Sequence, residues 1–398
     1  MGSELDRIFT LFYEKKNQLE MSIEELQQKV GRFSNHIVLY GAGSAGVAFL
    51  HCLINVGIYP SYFADGDSRL WGSYREDIEI ISPQEIINRV GKEALVIVTI
   101  NTDGKKYCKS FEETLREGGH DKVHKILREQ GVEYLIDYTY FRRCFSLFRQ
   151  EKYNLPSCSD VYEMYEYQNE IRRAYDLLED EMSKDIYLKL VEFRLLDDTI
   201  VIPTLPQKTQ YFEYDLYGRT KDEIFIDCGA FDGISLKTFL QENQNHFTHY
   251  YAFEPDDTNY KRLIHYVSTL ESDLKNRITC IHQAVSDTVG KEKLYELGGP
   301  GSFMADIGNQ EISCLDLDSY MQIGKVTYIK MNIEGSEKRA MIGAHKTISY
   351  WKPKLAIAGY HKTKDLWEIP LLMKEYQPDY KIYLRSYMNH ISFVYYGI

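Results

Sequence analysis

The sequence predicts an α/β protein with two Rossmann-like parallel sheets, the second of which ends in a β-hairpin. Three observations support this prediction. A short apolar strand, a glycine-rich turn and a helix follow one another twice, at 37–55 and at 223–240. After each turn, apolar runs of strand length alternate with helical segments, as they do in parallel βα units. Two further strand-like segments, 380–385 and 392–398, close the chain around a turn near Met388.

The chain has 398 residues, which is enough for two or three domains. Residues 1–150 are predicted to form a smaller Rossmann-like domain with a leading helix, residues 151–206 a helical bridge, and residues 207–398 the second α/β domain. Apolar residues recur at helical spacing across 158–197. This bridge either packs on both neighbouring domains or forms the interface of a homodimer.

Composition and charge exclude several classes of protein. The chain has 59 acidic and 47 basic residues, and a net charge of -12 does not suit a general nucleic-acid surface. The seven cysteines are scattered and odd in number, so neither a zinc knuckle nor a disulfide framework is expected. No apolar run approaches the ~20 residues of a membrane span, and the first residues lack the pattern of a secretion signal. We therefore expect a cytoplasmic protein.

The first turn of the second domain carries the strongest chemical signal. A buried strand ends at Asp227, and the chain then passes through Gly229 and Ala230 to Gly233, where a helix begins. Glycine lets a backbone approach a ligand because it has no Cβ, although a βα turn also uses glycine for its geometry alone. The next strand ends in Glu254. An acid there can accept hydrogen bonds from both hydroxyls of a ribose, and the alternative is a solvated acid at a strand end.

A third strand of this domain, near 278–282, precedes a loop that usually faces the adenine ring in this architecture. Asp287 or one of its neighbours is a candidate acceptor for the exocyclic amine of that adenine. Aspartate is also common in ordinary turns, and both interpretations stay open.

Five segments of the chain, taken in order, resemble the FkbM family of methyltransferases. The resemblance spans about 207–398, and the segments are 225–230 (FIDCGA), 253–255 (FEP), 284–287 (AVSD), 329–335 (IKMNIEG) and 360–362 (YHK). A further segment, 210–212 (QYF), is also similar to the family. The resemblance implies a class I methyltransferase fold with S-adenosylmethionine as cofactor. It also implies transfer of the methyl group to an oxygen, commonly a sugar hydroxyl of a polysaccharide or natural product.

The resemblance assigns roles to individual residues. The cofactor contacts that it implies are Asp227, Gly229, Gly233 and Glu254, with Tyr211 and Asp287 as further suggestions. At one position the chain departs from the family pattern, which is usually Lys-Met-Asp-Ile-Glu-Gly. Asn332 stands where the aspartate is expected. If that carboxylate acts as a base or a metal ligand in the family, this chain would bind the cofactor without efficient transfer.

Four candidate catalytic residues lie on two neighbouring strands. Lys330 and Asn332 point the same way from one strand, Glu334 follows in its turn, and His361 stands at the tip of the next strand. Adjacent strand tips can converge on one acceptor hydroxyl, whose proton must be removed. His361 is the first choice as general base because imidazole titrates near neutrality. A capping or substrate-positioning role is the alternative.

The other three candidates have several interpretations. Glu334 is a base, a ligand of the acceptor or a helix N-terminal acid, and Lys330 neutralises a carboxylate or binds the acceptor. Asn332 can hydrogen-bond a hydroxyl but cannot deprotonate it. A metal bridged by Glu334 and His361 has a thin carboxylate set once Asn332 is excluded, so no metal is predicted.

The N-terminal domain carries Gly41, Gly43 and Gly46 between a strand and a helix, with Asp65 at the end of the following strand. This is the context of a dinucleotide-binding turn, but the domain corresponds to only one nucleotide-binding half. It resembles Rossmann-like domains of polysaccharide-modifying enzymes. We expect either a scaffold that keeps the turn or a site for a nucleotide or nucleotide-sugar. In the second domain, the segment 298–302 is either a mobile loop over the acceptor or an ordinary solvated loop.

Three functions follow from these observations. The first is an S-adenosylmethionine-dependent O-methyltransferase that acts on a small-molecule or glycan acceptor in polysaccharide or capsule biosynthesis. The second is a cofactor-binding but catalytically impaired protein, because of Asn332. The third is a bifunctional enzyme whose N-terminal domain binds a nucleotide or a nucleotide-sugar.

Overall fold

The computed structural model describes residues 4–100, 110–119, 121–144, 161–196, 200–297, 301–320, 324–388 and 392–398. These residues form two α/β units connected by helices, as the sequence predicts. Parts of the predicted bridge, of the 298–302 loop and of the last turn lie outside the described residues. Among the helices within these ranges, none is both long and apolar enough to cross a membrane.

The N-terminal unit is built on a six-stranded sheet. Its strands are β1 (Ile37–Tyr40), β2 (Tyr62–Ala64), β3 (Tyr74–Arg75), β4 (Ile78–Ile81), β5 (Leu95–Val98) and β6 (Tyr134–Asp137). They lie in the order β3-β4-β2-β1-β5-β6, and only the β3–β4 pair is antiparallel. Every residue of β1 and β5 is buried, as expected of parallel strands with helices on both faces. The helices before β6 are α1 (Glu4–Leu19), α2 (Ile23–Gly31), α3 (Ser44–Asn55), α4 (Ile86–Val90), α5 (Phe111–Glu117) and α6 (Lys122–Glu129).

The leading helix α1 does not pack with the N-terminal sheet. Its side chains Leu5, Ile8 and Phe12 recur at helical spacing and are buried in one cluster with the bridge and the C-terminal sheet. The bridge consists of α7 (Val161–Glu166), α8 (Gln168–Asp176) and α9 (Glu181–Leu196), and α1 packs on α9. The apolar face of α1 is thus covered by the bridge and the C-terminal unit, and the predicted domain bounds stay a prediction.

The C-terminal unit contains a seven-stranded sheet in the order β16-β17-β15-β14-β7-β8-β9. These strands are β7 (Ile224–Cys228), β8 (His249–Phe253), β9 (Ile278–Ile281), β14 (Tyr328–Met331), β15 (Lys354–Ala358), β16 (Ile382–Ser386) and β17 (Phe393–Gly397). The pairs from β9 to β15 are parallel, whereas β17 is antiparallel to both of its neighbours. The predicted C-terminal hairpin is confirmed.

Helices flank this sheet on both faces. They are α10 (Tyr214–Tyr217), α11 (Ile234–Glu242), α12 (Asp257–Ser268), α13 (Ser272–Lys275), α14 (Leu317–Tyr320), α15 (Glu337–Ile342), α16 (His345–Trp351) and α17 (Asp365–Tyr376). The bridge helix α8 packs on α17, and α9 packs on β16. At the centre of the sheet, the ring of Phe225 stacks between Tyr250 and Tyr328, with centroid distances of 4.9 and 4.6 Å. This packing fixes the strands whose ends form the site.

The chain between β9 and β14 forms a second, four-stranded sheet, which was not predicted from the sequence. Its strands are β10 (Ala284–Val285), β11 (Gly290–Tyr295), β12 (Phe303–Met304) and β13 (Gln310–Leu315), in the order β10-β13-β11-β12. Val47 of α3 shares a buried apolar cluster with Tyr295 and Phe303 of this sheet. Arg75 also donates a hydrogen bond from Nη2 to the carbonyl of Leu297 at 3.1 Å. The two α/β units therefore meet through this second sheet.

Candidate functional site

A cavity of about 400 Å³ opens where the carboxyl ends of the C-terminal strands meet. Its walls include Gly229 after β7, Glu254 after β8, Asn332 and Glu334 after β14, and Tyr360 after β15. Ligands of open α/β sheets bind at this edge, because the loops there diverge and leave a crevice. Six of the predicted site residues line this cavity: Tyr211, Gly229, Glu254, Lys330, Asn332 and Glu334.

The glycine turn after β7 is shaped by contacts within the protein. Gly229 and Gly233 have φ values of 84° and 94°. A Cβ on Gly229 would collide with the carbonyl oxygen of Asn332, and one on Gly233 would press on the ring of Tyr266. These glycines therefore allow close approach of neighbouring chain segments, and their predicted contact with a ligand stays a prediction. Gly229 lines the cavity, whereas Ala230 and Gly233 do not.

Glu254 is the buried carboxylate of the cavity wall, with 5% of its surface exposed. Its Oε2 accepts a hydrogen bond from the backbone N–H of Phe231 at 2.8 Å, and its Oε1 accepts one from Asp256 at 3.0 Å. Burial raises the pKa of Glu254 to about 7, although the two backbone donors favour the ionised form. The side chain is held rigidly, and each oxygen keeps a second lone pair for a ligand hydroxyl.

Asp227 and Lys330 form a buried ion pair beneath the cavity. Lys330 Nζ lies 2.7 Å from Asp227 Oδ1 and donates a further hydrogen bond to the carbonyl of Gly229 at 2.7 Å. The hydroxyl of Tyr250 donates to the other oxygen of Asp227 at 2.6 Å. Both oxygens of this carboxylate are therefore occupied by protein groups, and Asp227 does not line the cavity. Two roles were predicted for Lys330, and in the structure it pairs with a carboxylate.

Asn332 and Glu334 face the cavity from the turn after β14. The side-chain oxygen of Asn332 accepts a hydrogen bond from the hydroxyl of Tyr360 at 3.1 Å. An aspartate at this position could accept the same bond, so the asparagine changes the charge of the wall more than its shape. Glu334 follows Asn332 by two residues in the chain and adds a carboxylate to the same part of the cavity lining.

Three residues on the cavity wall have left-handed backbones without being glycine. The φ values are 71° for Tyr211, 52° for Phe231 and 53° for Glu334. A left-handed φ costs an L-residue of this size on the order of 1–3 kcal/mol, and such residues gather where function requires a set geometry. The sequence carries no signal for these conformations.

His361 lies behind Glu334 and is not among the residues that line the cavity. Its Nε2 is 3.4 Å from Glu334 Oε1, and its Nδ1 is 2.9 Å from Oε1 of the buried Glu337. Burial disfavours a charged imidazole, but the Glu337 and Glu334 carboxylates outweigh that effect, so the pKa of His361 lies well above its usual value. An imidazole that already holds its proton is a poor base. Glu334 therefore replaces His361 as the first candidate for the general base.

Asp287 lies away from the cavity wall. It accepts hydrogen bonds from Arg339, at 3.0 Å from Nε and 2.7 Å from Nη2. Arg339 also pairs with Glu292, and the guanidinium holds the pKa of Asp287 below its usual value even though burial opposes the shift. The wall next to the predicted adenine loop consists instead of Gln283, Ala284 and Val285. Asp287 thus takes part in an ion-pair cluster that connects the second sheet to α15. The predicted contact of Asp287 or a neighbour with the adenine amine stays a prediction.

Tyr211 and Gln210, which precede α10, also line the cavity. The backbone N–H of Tyr211 donates to the hydroxyl of Tyr396 at 2.9 Å, and its ring lies 5.1 Å from Lys330 Nζ. Gln210 Nε2 donates to the hydroxyls of Tyr211 at 3.0 Å and of Ser392 at 2.9 Å. The sequence indicates Tyr211 as a site residue only through the resemblance, and it does not indicate individual roles for Gln210, Phe231, Tyr360 or Ser392.

The N-terminal unit also has a glycine turn in which an acid at the end of the next strand accepts hydrogen bonds from the backbone. Asp65 Oδ2 accepts a hydrogen bond from the backbone N–H of Ala42 at 2.9 Å, and its Oδ1 accepts one from Asp67 at 2.8 Å. The same two kinds of donor hold Glu254. A Cβ on Gly46 would collide with the carbonyl of Gly41, so these glycines also serve contacts within the chain. The predicted nucleotide site of this unit stays a prediction.

Comparison with known proteins bears on the C-terminal unit and on the fold. Residues 227–390 match the family described as the methyltransferase FkbM domain. The crystal structure of methyltransferase FkbM from Methylobacillus flagellatus KT covers 98% of this chain and 99% of its own, with 20% identity and a TM-score of 0.64. The METTL16 methyltransferase domain covers 60% of this chain and 91% of its own, with 12% identity and a TM-score of 0.31, too low for an argument. No curated protein matches the sequence significantly.

The parallel sheet that ends in an antiparallel hairpin, with a cavity at the carboxyl ends of its strands, has the Rossmann-like fold of methyltransferases. More specifically, residues 227–390 are similar to the methyltransferase FkbM domain. The similarity to the Methylobacillus structure extends over nearly the whole chain, so the N-terminal unit and the bridge belong to the shared fold.

Proposed function

We propose that this protein transfers a methyl group from S-adenosylmethionine to a hydroxyl of a carbohydrate acceptor. The observation that carries the proposal is Glu254, a buried carboxylate that two backbone N–H groups hold at the tip of β8 inside the cavity. A carboxylate in this place accepts hydrogen bonds from the paired hydroxyls of a ribose. Phe231, Ile234, Ala284 and Val285 supply apolar wall for an adenine ring.

S-adenosylmethionine, when bound, supplies an electrophilic methyl group on a sulfonium. In the transfer, the bond from sulfur to the methyl carbon breaks while the acceptor oxygen forms a new bond to that carbon. The hydroxyl loses its proton. Glu334 is a second carboxylate in the lining of the cavity, and it is our candidate for the proton acceptor. Asn332, held by the hydroxyl of Tyr360, is placed to orient the same acceptor hydroxyl.

The chemistry of the remaining wall favours a neutral, hydroxyl-rich acceptor. Gln207, Gln210 and Ser392 present amide and hydroxyl groups there, which suit the hydrogen bonds of a sugar. Lys330 is the cation among the described lining residues, and Asp227 already neutralises it. A phosphate group would therefore find no free cation among these residues, so the acceptor group that enters the cavity is uncharged.

The proposal is tested by measuring the release of S-adenosylhomocysteine with a panel of acceptors. The panel contains neutral sugars and oligosaccharides, nucleotide-linked sugars, and amines of similar size as comparison. We expect product with hydroxyl acceptors, neutral sugars ahead of nucleotide-linked ones. Product from amines alone would contradict O-methylation. Cofactor binding without turnover on any acceptor, followed by turnover in Asn332→Asp, would favour the catalytically impaired protein instead.

A further inference from the structure

A cluster of three metal-ligating side chains lies behind the cavity, between α15 and the start of α17. It consists of Glu337, His361 and Asp365, whose potential ligand atoms all lie within 4.8 Å of one another. Glu337 is fully buried, and Asp365 and His361 are 2% and 8% exposed. Titratable side chains are costly to bury unless they are paired or bind a metal. The function proposed above uses none of the three directly.

The imidazole of His361 is buried and has no hydrogen bond. Its Nδ1 is 2.9 Å from Glu337 Oε1 and its Nε2 is 3.4 Å from Glu334 Oε1, yet neither contact has the direction of a hydrogen bond. A ring nitrogen and a carboxylate oxygen that are close without pointing at each other can both point at a common third atom. Such geometry is characteristic of ligands that converge on an ion.

The two acids of the cluster are fixed in place by the backbone. Glu337 accepts hydrogen bonds from the N–H groups of Ile333 at 2.8 Å and Gly335 at 2.9 Å. Asp365 Oδ2 accepts one from the N–H of Lys362 at 2.7 Å. These bonds use one lone pair on each oxygen and leave others available to a cation. The donors also fix the carboxylates in position before any ion binds.

The charge of the surroundings favours a cation. Glu337 and Asp365 are buried carboxylates, and the ammonium of Lys362 interacts with both of them. The carboxylate of Glu334 lies 3.4 Å from the other nitrogen of the His361 ring. Buried carboxylates that are grouped in this way are stabilised by a nearby cation.

We propose that Glu337, His361 and Asp365 bind one divalent transition-metal ion of the Zn²⁺ or Mn²⁺ class. One imidazole with two carboxylates is a mixed nitrogen and oxygen set that suits these ions better than Mg²⁺ or Ca²⁺, which prefer oxygen alone. Ligand atoms around a tetrahedral zinc are about 3.4 Å apart, so the cluster would contract slightly on binding. With Nδ1 on the ion, Nε2 carries the proton and faces Glu334, the usual carboxylate–histidine–metal arrangement. The ion would then fix the turn from which Glu334 enters the cavity.

The test is metal binding by the full chain, with no dependence on methyl transfer. Protein stripped with a chelator is titrated calorimetrically with Zn²⁺, Mn²⁺ and Mg²⁺, and bound metal is counted by elemental mass spectrometry after gel filtration. We expect one equivalent of Zn²⁺ or Mn²⁺ in the wild type and a higher melting temperature. Less than about a tenth of an equivalent of either ion in folded wild-type protein would overturn the proposal.

Variants assign the ion to the cluster. Asp365→Asn keeps the acceptor for Lys362 N–H but removes the charge, and His361→Gln removes the imidazole; each should weaken binding at least about 100-fold. The matched control is His124→Gln, which removes another buried histidine that lies between two acids, Asp121 and Asp137. This control should bind the ion as the wild type does. Unchanged binding in both cluster variants, or loss in the control alone, would contradict the assignment.

Discussion

Lys330 Nζ and Asp227 Oδ1 lie 2.7 Å apart with both side chains almost fully buried, and the two residues are register partners on the adjacent strands β14 and β7. The ion pair joins the turn after β7 to the strand that carries Asn332. The pair therefore supports the cavity from below: Lys330 contributes to its lining, whereas Asp227 does not.

Replacement of one partner of this pair should destabilise the protein. We expect Lys330→Met to lower the free energy of unfolding by about 3–5 kcal/mol, because Asp227 would remain buried and uncompensated. Urea unfolding followed by circular dichroism measures this change. In the double variant Asp227→Asn/Lys330→Met a large part of the loss should return. The exposed pair Lys261–Asp257 provides the control, since Lys261→Met should change stability by no more than about 0.5 kcal/mol. A loss of activity in Lys330→Met without loss of stability would make Lys330 a catalytic residue after all.

Glu334 and Asn332 should differ in their effect on turnover. Glu334→Gln removes the proton acceptor, and we expect the rate of methyl transfer to fall by about 10²–10⁴-fold while cofactor affinity stays within about twofold. Asn332→Asp adds a second carboxylate that can still accept from Tyr360, and the rate should stay within about tenfold of the wild type. Initial rates of S-adenosylhomocysteine release decide between them. A rate that survives in Glu334→Gln would return the role of base to another group.

Cofactor affinity should depend on pH through Glu254, whose pKa burial raises to about 7. The ionised carboxylate accepts both ribose hydroxyls, so binding is fully developed above pH 7 and is lost as the pH falls below it. The dissociation constant should rise about tenfold between pH 8 and pH 6, since only the ionised fraction binds. Glu254→Gln should bind weakly with little pH dependence, which separates this effect from titration of the cofactor itself. Equal pH profiles in the two proteins would refute the role of Glu254.

Asp287 was predicted to contact the cofactor, but it does not line the cavity, and its replacement tests whether it affects cofactor affinity. Its carboxylate is paired with Arg339, so Asp287→Asn should leave cofactor affinity within about twofold of the wild type. The same change should cost roughly 0.2–1 kcal/mol of stability, because the pair is partly exposed. Calorimetric titration and thermal unfolding of one preparation measure both quantities. A large loss of affinity with unchanged stability would restore the predicted contact with the adenine amine.

Sequence patterns predicted the parts of the fold that depend on periodicity. The strands β7 and β8 and the final hairpin each appear in the sequence as an apolar run that stops at polar or turn residues. The four-stranded second sheet was missed because two of its strands, β10 and β12, are only two residues long and leave no periodic signal. Pairing between distant strands, which decides the second sheet, is also not visible in local propensity.

The sequence predicted the positions of the site residues more accurately than their roles. Lys330 and Asp227 pair because strand register places them side by side, and register follows from the whole sheet. The left-handed backbones of Tyr211, Phe231 and Glu334 are imposed by surrounding structure, since no residue type other than glycine signals them. His361 was chosen for its chemistry alone, and its position behind Glu334 depends on how the turn after β14 folds over it.

The cavity beside Glu254 is proposed to bind S-adenosylmethionine, and calorimetric titration of that cofactor into the wild type and Glu254→Ala measures this binding. The wild type should bind one equivalent, and the variant should bind more weakly by about 1–3 kcal/mol, the cost of leaving hydroxyls unpaired. Asp257→Ala, which removes the exposed acid that begins α12, should bind as the wild type does. No binding by the folded wild type, or equal affinity in Glu254→Ala, would show that this cavity is not the cofactor site.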